Sequence, residues 1–280
     1  MWKQKLGISL GNGYTLPTPQ VVGIVADAGF DAISPEWDPK ADLCAIVTAA
    51  RERGLALQSL HAPFGKAADM WNPDPATHTP ALAEVLAALE DGAKYHIPVL
   101  VVHTWIGFEY EFQADTLWFG AFDRLVVRAR ELGIQVAFEN TEGQEFLFSL
   151  MEHFAGQEAV GFCWDSGHEL CYNHSMDLLA RYGNRLLVTH LNDNLGISRF
   201  DGTTFWTDDL HLLPYDGIAD WAGNVARLRQ SRKLEYLNFE LGLKSKPGRH
   251  ENDCYGKLSL EEYFAEAYKR ACRIAWNYAK

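Results

Sequence analysis

The sequence lacks the features of several specialised classes of protein. No window approaches the roughly 18 consecutive apolar residues of a membrane span, so we expect no association with a membrane. Only five cysteines occur, and no two have the CxxC spacing of a structural zinc site or redox pair. No cleavage signature of a secretory signal follows the N-terminus. We therefore expect a protein of the reducing cytoplasm.

Basic residues are also scarce. The chain has 25 Lys and Arg against 37 Asp and Glu, which gives a formal net charge of −12. It contains no basic run that could offset this charge locally. Because DNA binding depends on Lys and Arg contacts to phosphates, we expect a small-molecule substrate and no nucleic acid.

The 280 residues alternate between short β-like runs and longer amphipathic stretches without a break in composition. The predicted strands are Lys5–Gly11, Asp31–Trp37, Ala56–His61, Val99–His103, Gln135–Glu139, Val160–Asp165, Leu186–His190 and Leu234–Glu240. The predicted helices are Thr18–Ala28, Ala41–Arg53, Pro80–His96, Thr116–Leu132, Gln144–Phe154, Met176–Tyr182, Ile218–Gln230 and Leu260–Tyr278.

Eight strand–helix pairs predict an α/β fold, a single (β/α)8 TIM barrel that spans residues 1–280 as one catalytic domain. The third helix is expected to start at Pro80, with Thr79 as its N-cap. An extended loop, Asp193–Pro214, follows strand seven and is either a lid or a dimer contact. An open, doubly wound sheet is the alternative, but Gly11-Asn12-Gly13 does not complete a GxGxxG motif.

Six consecutive predicted strands end in a side chain that can bind a metal or transfer a proton. Parallel strands of a barrel all end at one rim, where active sites of this fold are built. Converging carboxylates repel one another unless a cation or shared protons compensate. Carboxylate and imidazole ligands together suit a divalent metal. The residues at the six strand ends are His61, His103, Glu139, Asp165, His190 and Glu240.

Several short motifs, in this order and one to a strand, resemble the xylose isomerase-like (β/α)8 barrel superfamily in its sugar phosphate isomerase/epimerase branch. The resemblance covers nearly the whole chain. It rests on His61-Ala62-Pro63, Val102-His103, Phe138-Glu139-Asn140, Asp165-Ser166-Gly167-His168, His190-Leu191-Asn192-Asp193, Asp209-Leu210-His211 with Pro214 and Gly217, and Phe239-Glu240.

The resemblance implies one divalent metal ion with four ligands, namely Glu139, Asp165, His190 and Glu240. Mn²⁺ and Zn²⁺ are the expected ions, and Mg²⁺, Co²⁺ and Fe²⁺ are the alternatives. It also implies that Glu139 and Glu240 are the catalytic acid–base pair, which moves a proton next to a metal-bound carbonyl through an enediolate. His168 corresponds to a histidine that contacts substrate oxygens.

The chain departs from the ketose 3-epimerases in one place. Those enzymes carry an arginine shortly after the seventh-strand histidine, whereas Arg199 comes slightly late here. This departure leaves the reaction open, since dehydratases and isomerases of inositol-type substrates share the same metal core, and a dehydratase or lyase of a cyclic polyol is the alternative. The leading hypothesis is an isomerase or epimerase of a sugar or of a keto-inositol-like polyol.

The same superfamily includes endonuclease IV, a trinuclear zinc enzyme that acts on abasic DNA. Its three zinc sites correspond here to His61, His103 and Glu139; to Glu139, Asp165, His190 and Glu240; and to His168, Asp209 and His211. The net charge argues against this alternative. In the sugar-enzyme hypothesis, His61, His103, His168 and His211 line the substrate pocket instead.

Aromatic residues after the strand ends suggest further contacts with a sugar, because sugar C–H faces stack on aromatic rings. Trp37, Trp71 and Trp105 are the predicted pocket residues, together with Arg199. A second insertion, Lys244–Gly256, carries Lys246, Arg249 and His250 and is either a contact for an acidic group or a solvated loop. A non-catalytic sugar-binding barrel remains the alternative from another class. The sequence is compatible with a homodimer or homotetramer.

Overall fold

Short parallel strands alternate with helices along the chain in the computed structural model, which describes residues 4–11, 14–16, 18–199 and 202–280. Asn12 and Gly13 of the glycine motif lie outside the described residues. The strands are β1 (Lys5–Leu10), β2 (Ala32–Pro35), β3 (Ala56–Leu57), β4 (Leu60–His61), β5 (Val99–His103), β6 (Gln135–Glu139), β7 (Val160–Asp165), β8 (Leu186–His190) and β9 (Tyr236–Phe239).

The α-helices are α1 (Thr18–Ala28), α2 (Leu43–Glu52), α3 (Pro75–Lys94), α4 (Gly120–Leu132), α5 (Gln144–His153), α6 (Ser166–Cys171), α7 (Leu178–Tyr182), α8 (Trp221–Gln230) and α9 (Leu260–Tyr278). Short 3₁₀ turns cover Ala68–Trp71, Ala114–Thr116, Gly183–Arg185, Trp206–Asp208 and Tyr255–Lys257.

The strands close into a barrel through two connections between sheets. One sheet has the order β3-β2-β1-β9 and the other β4-β5-β6-β7-β8, and every pairing is parallel. On one side, a bridge joins Glu36 to His61. On the other side, Leu191 pairs with Phe239, and the Leu191 N–H donates to the Asn238 carbonyl at 2.9 Å. The predicted (β/α)8 barrel is confirmed, with the third strand divided into β3 and β4.

Successive side chains of a strand point to opposite faces of the sheet, so the barrel has two separate apolar cores. Outward residues such as Val136 and Phe138 join the large apolar core between the sheet and the helices. The barrel interior contains a small apolar cluster, to which Val101, Ala137 and Val188 belong. Hydrogen-bonded polar side chains cluster on β1, β2 and β9, where Asn238 donates to Ser9 and accepts from Ser34.

Aspartates fix the starts of several helices. Asp42, Asp177 and Asp220 each accept from a backbone N–H in the first turn of α2, α7 and α8. Helix α3 begins five residues earlier than the sequence predicted, because Asp74 accepts from the Ala76 N–H at 2.9 Å and Pro75 opens the helix. Pro80 therefore lies inside α3, and Thr79 is not its cap.

The segment between β8 and α8 is organised around one buried carboxylate. Asp193 is fully buried and accepts from the backbone N–H groups of Tyr215 and Ala219 at 2.8 and 3.0 Å. The Trp221 indole donates to it at 2.8 Å. These bonds anchor both ends of the segment to the barrel rim. None of the helices in the described part of the chain has the length and apolar character to cross a bilayer.

Candidate metal centre and active site

The carboxyl ends of the strands bring the predicted side chains together. In the barrel register, His103 is opposite Glu139 on the neighbouring strand, and Asp165 is opposite His190. His61 ends β4, and Glu240 directly follows β9. Because parallel strands end at one rim, residues far apart in sequence become neighbours there.

Four of these residues form a compact group of donor atoms. One ligand atom from each of Glu139, Asp165, His190 and Glu240 lies within 4.8 Å of every other. Nδ1 of His190 is central, at 2.8 Å from Oε1 of Glu139 and 2.9 Å from Oε2 of Glu240. This donor set, of carboxylate oxygens and one imidazole nitrogen, suits a divalent ion such as Mn²⁺ or Zn²⁺.

The three carboxylates of the group have little or no contact with solvent. Glu139 and Asp165 have no exposed surface, and the side chain of Glu240 is 18% exposed. Within the described ranges, no Lys or Arg forms an ion pair with any of the three. Buried carboxylates need a positive partner, so the site fits a cation.

Burial and the neighbouring imidazoles act in opposite directions on these acids. Burial raises the pKa of Asp165 to about 6, although His168 opposes the shift. Burial would also raise the pKa of Glu240, but contact with His190 outweighs it and lowers the pKa to about 2. For Glu139, burial is outweighed by His190 and His61, so its pKa falls well below the usual range. Both glutamates are therefore held as carboxylates.

Three histidines of the rim share one orientation. Nδ1 of His61 lies 2.8 Å from the carbonyl oxygen of Ala62, and Nδ1 of His168 lies 2.9 Å from that of Asn140. Nδ1 of His211 lies 3.3 Å from the Glu240 carbonyl. Since a carbonyl only accepts, the Nδ1 atom carries the proton in each neutral ring and Nε2 has a lone pair. Metal-binding histidines are typically oriented in this way.

The Nε2 atoms face carboxylates, which defines two further groups of atoms that could bind a metal. Nε2 of His61 and of His103 lie 3.2 and 3.5 Å from Oε2 of Glu139. Nε2 of His168 and of His211 lie 3.5 and 2.8 Å from the two oxygens of Asp209. The second group also contains a cation of the chain itself, because Nζ of Lys246 lies 3.4 Å from Oδ2 of Asp209.

Amide side chains of the motifs hold Asp165 in place. Asn140 accepts from the Asp165 N–H at 2.8 Å and donates to its carbonyl at 2.9 Å. Asn192 donates to Oδ2 of Asp165 at 2.9 Å, and the other oxygen accepts from the His168 N–H at 2.7 Å. Asp165 is thus also the N-cap of α6, a short helix that the sequence analysis did not predict.

A cavity of about 560 Å³ opens above this group. Its lining includes the predicted residues His61, His103, His168, His211 and Glu240. Glu139, Asp165 and His190 are not part of the lining, since they lie buried beneath it.

Glu36 and Tyr14 also line this cavity, and neither was predicted from the sequence. Glu36 follows β2, and a Cβ at Gly11 would lie 2.5 Å from its Oε1. Burial raises the pKa of Glu36. The signal was present, because Glu36 lies one residue before the end of the second predicted strand, close to the rim where the other six polar residues end theirs.

The three predicted tryptophans and Arg199 are not part of the cavity lining. The indole of Trp37 donates to Asp91 at 2.8 Å, and that of Trp71 donates to the Thr104 carbonyl at 2.8 Å. Trp105 donates to the Gly107 carbonyl and stacks on Phe146. The exposed Arg199 packs over the Phe205 ring at 5.0 Å. In this structure these four residues contact neighbouring groups of the chain, and their role as substrate contacts stays a prediction.

Known proteins are similar to this chain in sequence. The family model of the xylose isomerase-like TIM barrel matches residues 22–270. The uncharacterized protein y4fM of Sinorhizobium fredii (strain NBRC 101917 / NGR234) is 31% identical over 163 residues, which are 55% of this chain and 49% of that protein. The chain thus spans about half the length of that curated relative.

Solved structures share the fold at low sequence identity. The IolI protein, solved with a bound zinc atom, is 17% identical, with a TM-score of 0.75 over 97% of this chain and 98% of that one. A D-psicose 3-epimerase, solved in the presence of D-fructose, is 15% identical, with a TM-score of 0.68 over 98% of this chain and 99% of that one.

Proposed function

Because the chain belongs to the xylose isomerase-like TIM barrel family, we propose that it is a metal-dependent isomerase or epimerase of a sugar or keto-inositol-like polyol. The observation that carries the proposal is the position of Glu139 and Glu240, which both lie within 2.9 Å of the same nitrogen of His190 under a cavity. The sugar-epimerase structure named above supports the substrate class. In this proposal residues 1–280 are one catalytic domain.

Glu139, Asp165, His190 and Glu240 would hold the ion. A divalent cation supplies Lewis-acid polarisation of substrate oxygens, which acidifies the carbon beside a carbonyl. Glu240 faces the cavity, so we assign to it the removal of the proton from that carbon. Glu139 is the second acid–base group, and His61 and His190 stabilise its charged form.

The other histidines bind and orient the substrate in this proposal. His103 and His168 line the cavity and both face Glu139, and their ring centroids are 6.2 Å apart. Burial lowers the pKa of His103 to about 3, although Glu139 opposes the shift. His103 is therefore neutral, and since its Nε2 faces Glu139, its Nδ1 is the nitrogen that we assign to a sugar hydroxyl.

Solvent deuterium uptake into a broad panel of keto-inositols and of keto sugars, both free and glycosidically linked to a second ring, tests the proposal. With Mn²⁺ or Zn²⁺ present, we expect exchange at the carbon beside the carbonyl of at least one compound. Glu240→Gln should reduce this exchange by about 10²–10⁴-fold, because it removes the proton acceptor. Glu152→Gln, on the exposed face of α5, is the control and should exchange normally.

Absence of exchange across the panel would contradict proton abstraction. Loss of water or fragmentation of the substrate, followed by mass spectrometry, would indicate the dehydratase or lyase alternative. Tight sugar binding that survives both Glu139→Gln and Glu240→Gln without turnover would indicate a non-catalytic sugar-binding barrel.

A second candidate function is metal-assisted hydrolysis of a phosphodiester, and the two further donor groups favour it. Each combines imidazole Nε2 atoms with a carboxylate, as a multinuclear zinc site requires. Two observations weigh against it, namely the net charge of −12 and the ammonium group of Lys246 beside Asp209. Elemental analysis distinguishes the candidates: one ion per chain supports the sugar enzyme, whereas three zinc ions and cleavage of abasic duplex DNA support hydrolysis.

A further inference from the structure

The cavity is larger than a single sugar ring requires. Its volume of about 560 Å³ falls within the range of about 300–1,000 Å³ that is typical of pockets for drug-sized ligands. The donors described above occupy only its floor. A monosaccharide bound at Glu240 and the histidines would leave the outer half unfilled.

The outer half differs from the floor in chemistry. Four aromatic side chains line it, and we call them the outer aromatic wall: Phe64, Phe108, Tyr172 and Trp206. Exposure increases toward the rim. His168 and Tyr172 are 4% and 6% exposed, whereas Phe64 and Trp206 are 41% and 44% exposed.

Ring contacts connect the floor to the rim on both sides of the cavity. On one side, Tyr172 stacks on His168 with centroids 5.0 Å apart, and Phe108 contacts Tyr172 edge-on at 5.5 Å. On the other side, Phe64 stacks on His103 at 4.5 Å. A ligand that reaches the donors on the floor therefore passes between aromatic faces.

Large exposed aromatic side chains are costly to keep in contact with water, and where they gather at a cavity they mark a binding surface. Flat rings of modest polarity bind such surfaces, because aromatic rings and the C–H faces of pyranoses both stack on them. A phosphate or a lone open-chain polyol has no such face. The wall thus fits a second ring.

We propose that the outer aromatic wall binds a second ring joined to the reacting sugar, so that the substrate is a glycoside whose reacting ring keeps a keto group, and not a free monosaccharide. The proposal rests on the proposed function only in placing the reacting ring on the cavity floor. The second ring is either another sugar or an aromatic aglycone, since both offer the required apolar face.

Calorimetric binding of three probes to the full chain with Mn²⁺ tests this inference. The probes are D-glucose, cellobiose and phenyl β-D-glucoside. We expect one or both of the two-ring probes to bind at least tenfold more tightly than D-glucose. Preference for cellobiose identifies a second sugar as the occupant, and preference for phenyl β-D-glucoside identifies an aromatic aglycone.

Substitutions in the outer aromatic wall test whether the second ring binds there. Phe64→Ala and Phe108→Ala should each remove most of the advantage of the two-ring probe and leave D-glucose affinity within twofold. In fluorescence titration with that probe, quenching should be lost in Trp206→Phe and kept in Trp276→Phe, a control at another exposed tryptophan, on α9. Phe64 and Trp206 are exposed, so their replacement leaves the core intact.

Equal affinity for the three probes would overturn the inference, as would variants that weaken all three equally. It would also be overturned if the chain dimerises in analytical ultracentrifugation and Phe64→Ala converts the dimer to a monomer, because the wall would then cover a second copy. These readouts need no turnover. Two-ring binding without deuterium exchange would contradict the proposed function and leave this inference standing.

Discussion

Oε1 of Glu139 lies 2.8 Å from Nδ1 of His190. The same nitrogen lies 2.9 Å from Glu240, yet an imidazole nitrogen carries at most one proton. Two carboxylates converge on it without an Arg or Lys partner among the described residues. A divalent cation bound between them would neutralise both acids, as the proposed function requires.

A bound ion should therefore stabilise the fold. With free Mn²⁺ or Zn²⁺ at a hundred times its Kd, binding contributes about 2.7 kcal/mol, which raises the Tm of a chain of this size by roughly 5 °C. Differential scanning calorimetry before and after chelation measures the shift. Glu240→Gln should lose most of it, and Glu152→Gln should keep it. An identical Tm with and without ions would exclude the cation site.

An ion pair between Glu169 of α6 and Arg227 of α8 fixes α6, the helix that Asp165 caps, against its neighbour. Their side chains lie 2.7 Å apart and are 5% and 25% exposed. Arg227→Met leaves the Glu169 carboxylate buried with two weaker donors, the Trp164 indole and the Leu178 N–H. Since breaking a buried ion pair costs about 3–5 kcal/mol, urea unfolding should show a loss of this size.

Adding Glu169→Gln to Arg227→Met removes the stranded charge and should recover part of the lost stability. Arg124→Ala, at an exposed position of α4, is the control and should change the free energy of unfolding by less than about 0.5 kcal/mol. A single variant as stable as the natural chain would show that Glu169 takes up a proton at no cost.

The polar strand ends were predictable, because their position depends only on chain order and on the parallel sheet. The start of α3 was not, since both Asp74-Pro75 and Thr79-Pro80 read as a cap followed by proline. Packing decides between them, because the earlier start buries His78 and allows its Nδ1 to contact the Asn72 carbonyl at 2.9 Å.

The direction in which a side chain points was the hardest feature to predict from the sequence. Trp71 follows a strand end in sequence, but its ring packs against Phe119, Phe122 and Phe146. Position after a strand indicates proximity to the rim, whereas rotamer and neighbouring helices determine which way the ring points. For Asp165 the position in sequence and the direction of the side chain agree, because Asn140 and Asn192 hold its carboxylate toward the other predicted ligands.

Replacement of Trp71 distinguishes packing from substrate contact. Trp71→Phe removes the indole N–H that bonds the Thr104 carbonyl, so we expect a loss of about 1–3 kcal/mol in unfolding free energy. Sugar affinity should stay within twofold, because Trp71 does not line the cavity. A large loss of affinity in a stable Trp71→Phe protein would instead place the ring in the substrate site.

Gly167 explains why the motif Asp165-Ser166-Gly167-His168 contains a glycine. A Cβ at this position would overlap Oδ1 of Asn192, the residue whose amide donates to Asp165. Gly167→Ala should therefore displace Asn192, destabilise the fold by about 1–3 kcal/mol and weaken metal binding, because Asp165 loses its positioning partner.

Gly256→Ala is the matched control, since no atom lies within 4 Å of the added carbon. Calorimetric metal titration of both variants gives the comparison. Equal metal affinity in the two variants would mean that Asn192 does not orient Asp165, whereas a loss confined to Gly167→Ala ties the motif glycine to the metal centre through a single amide.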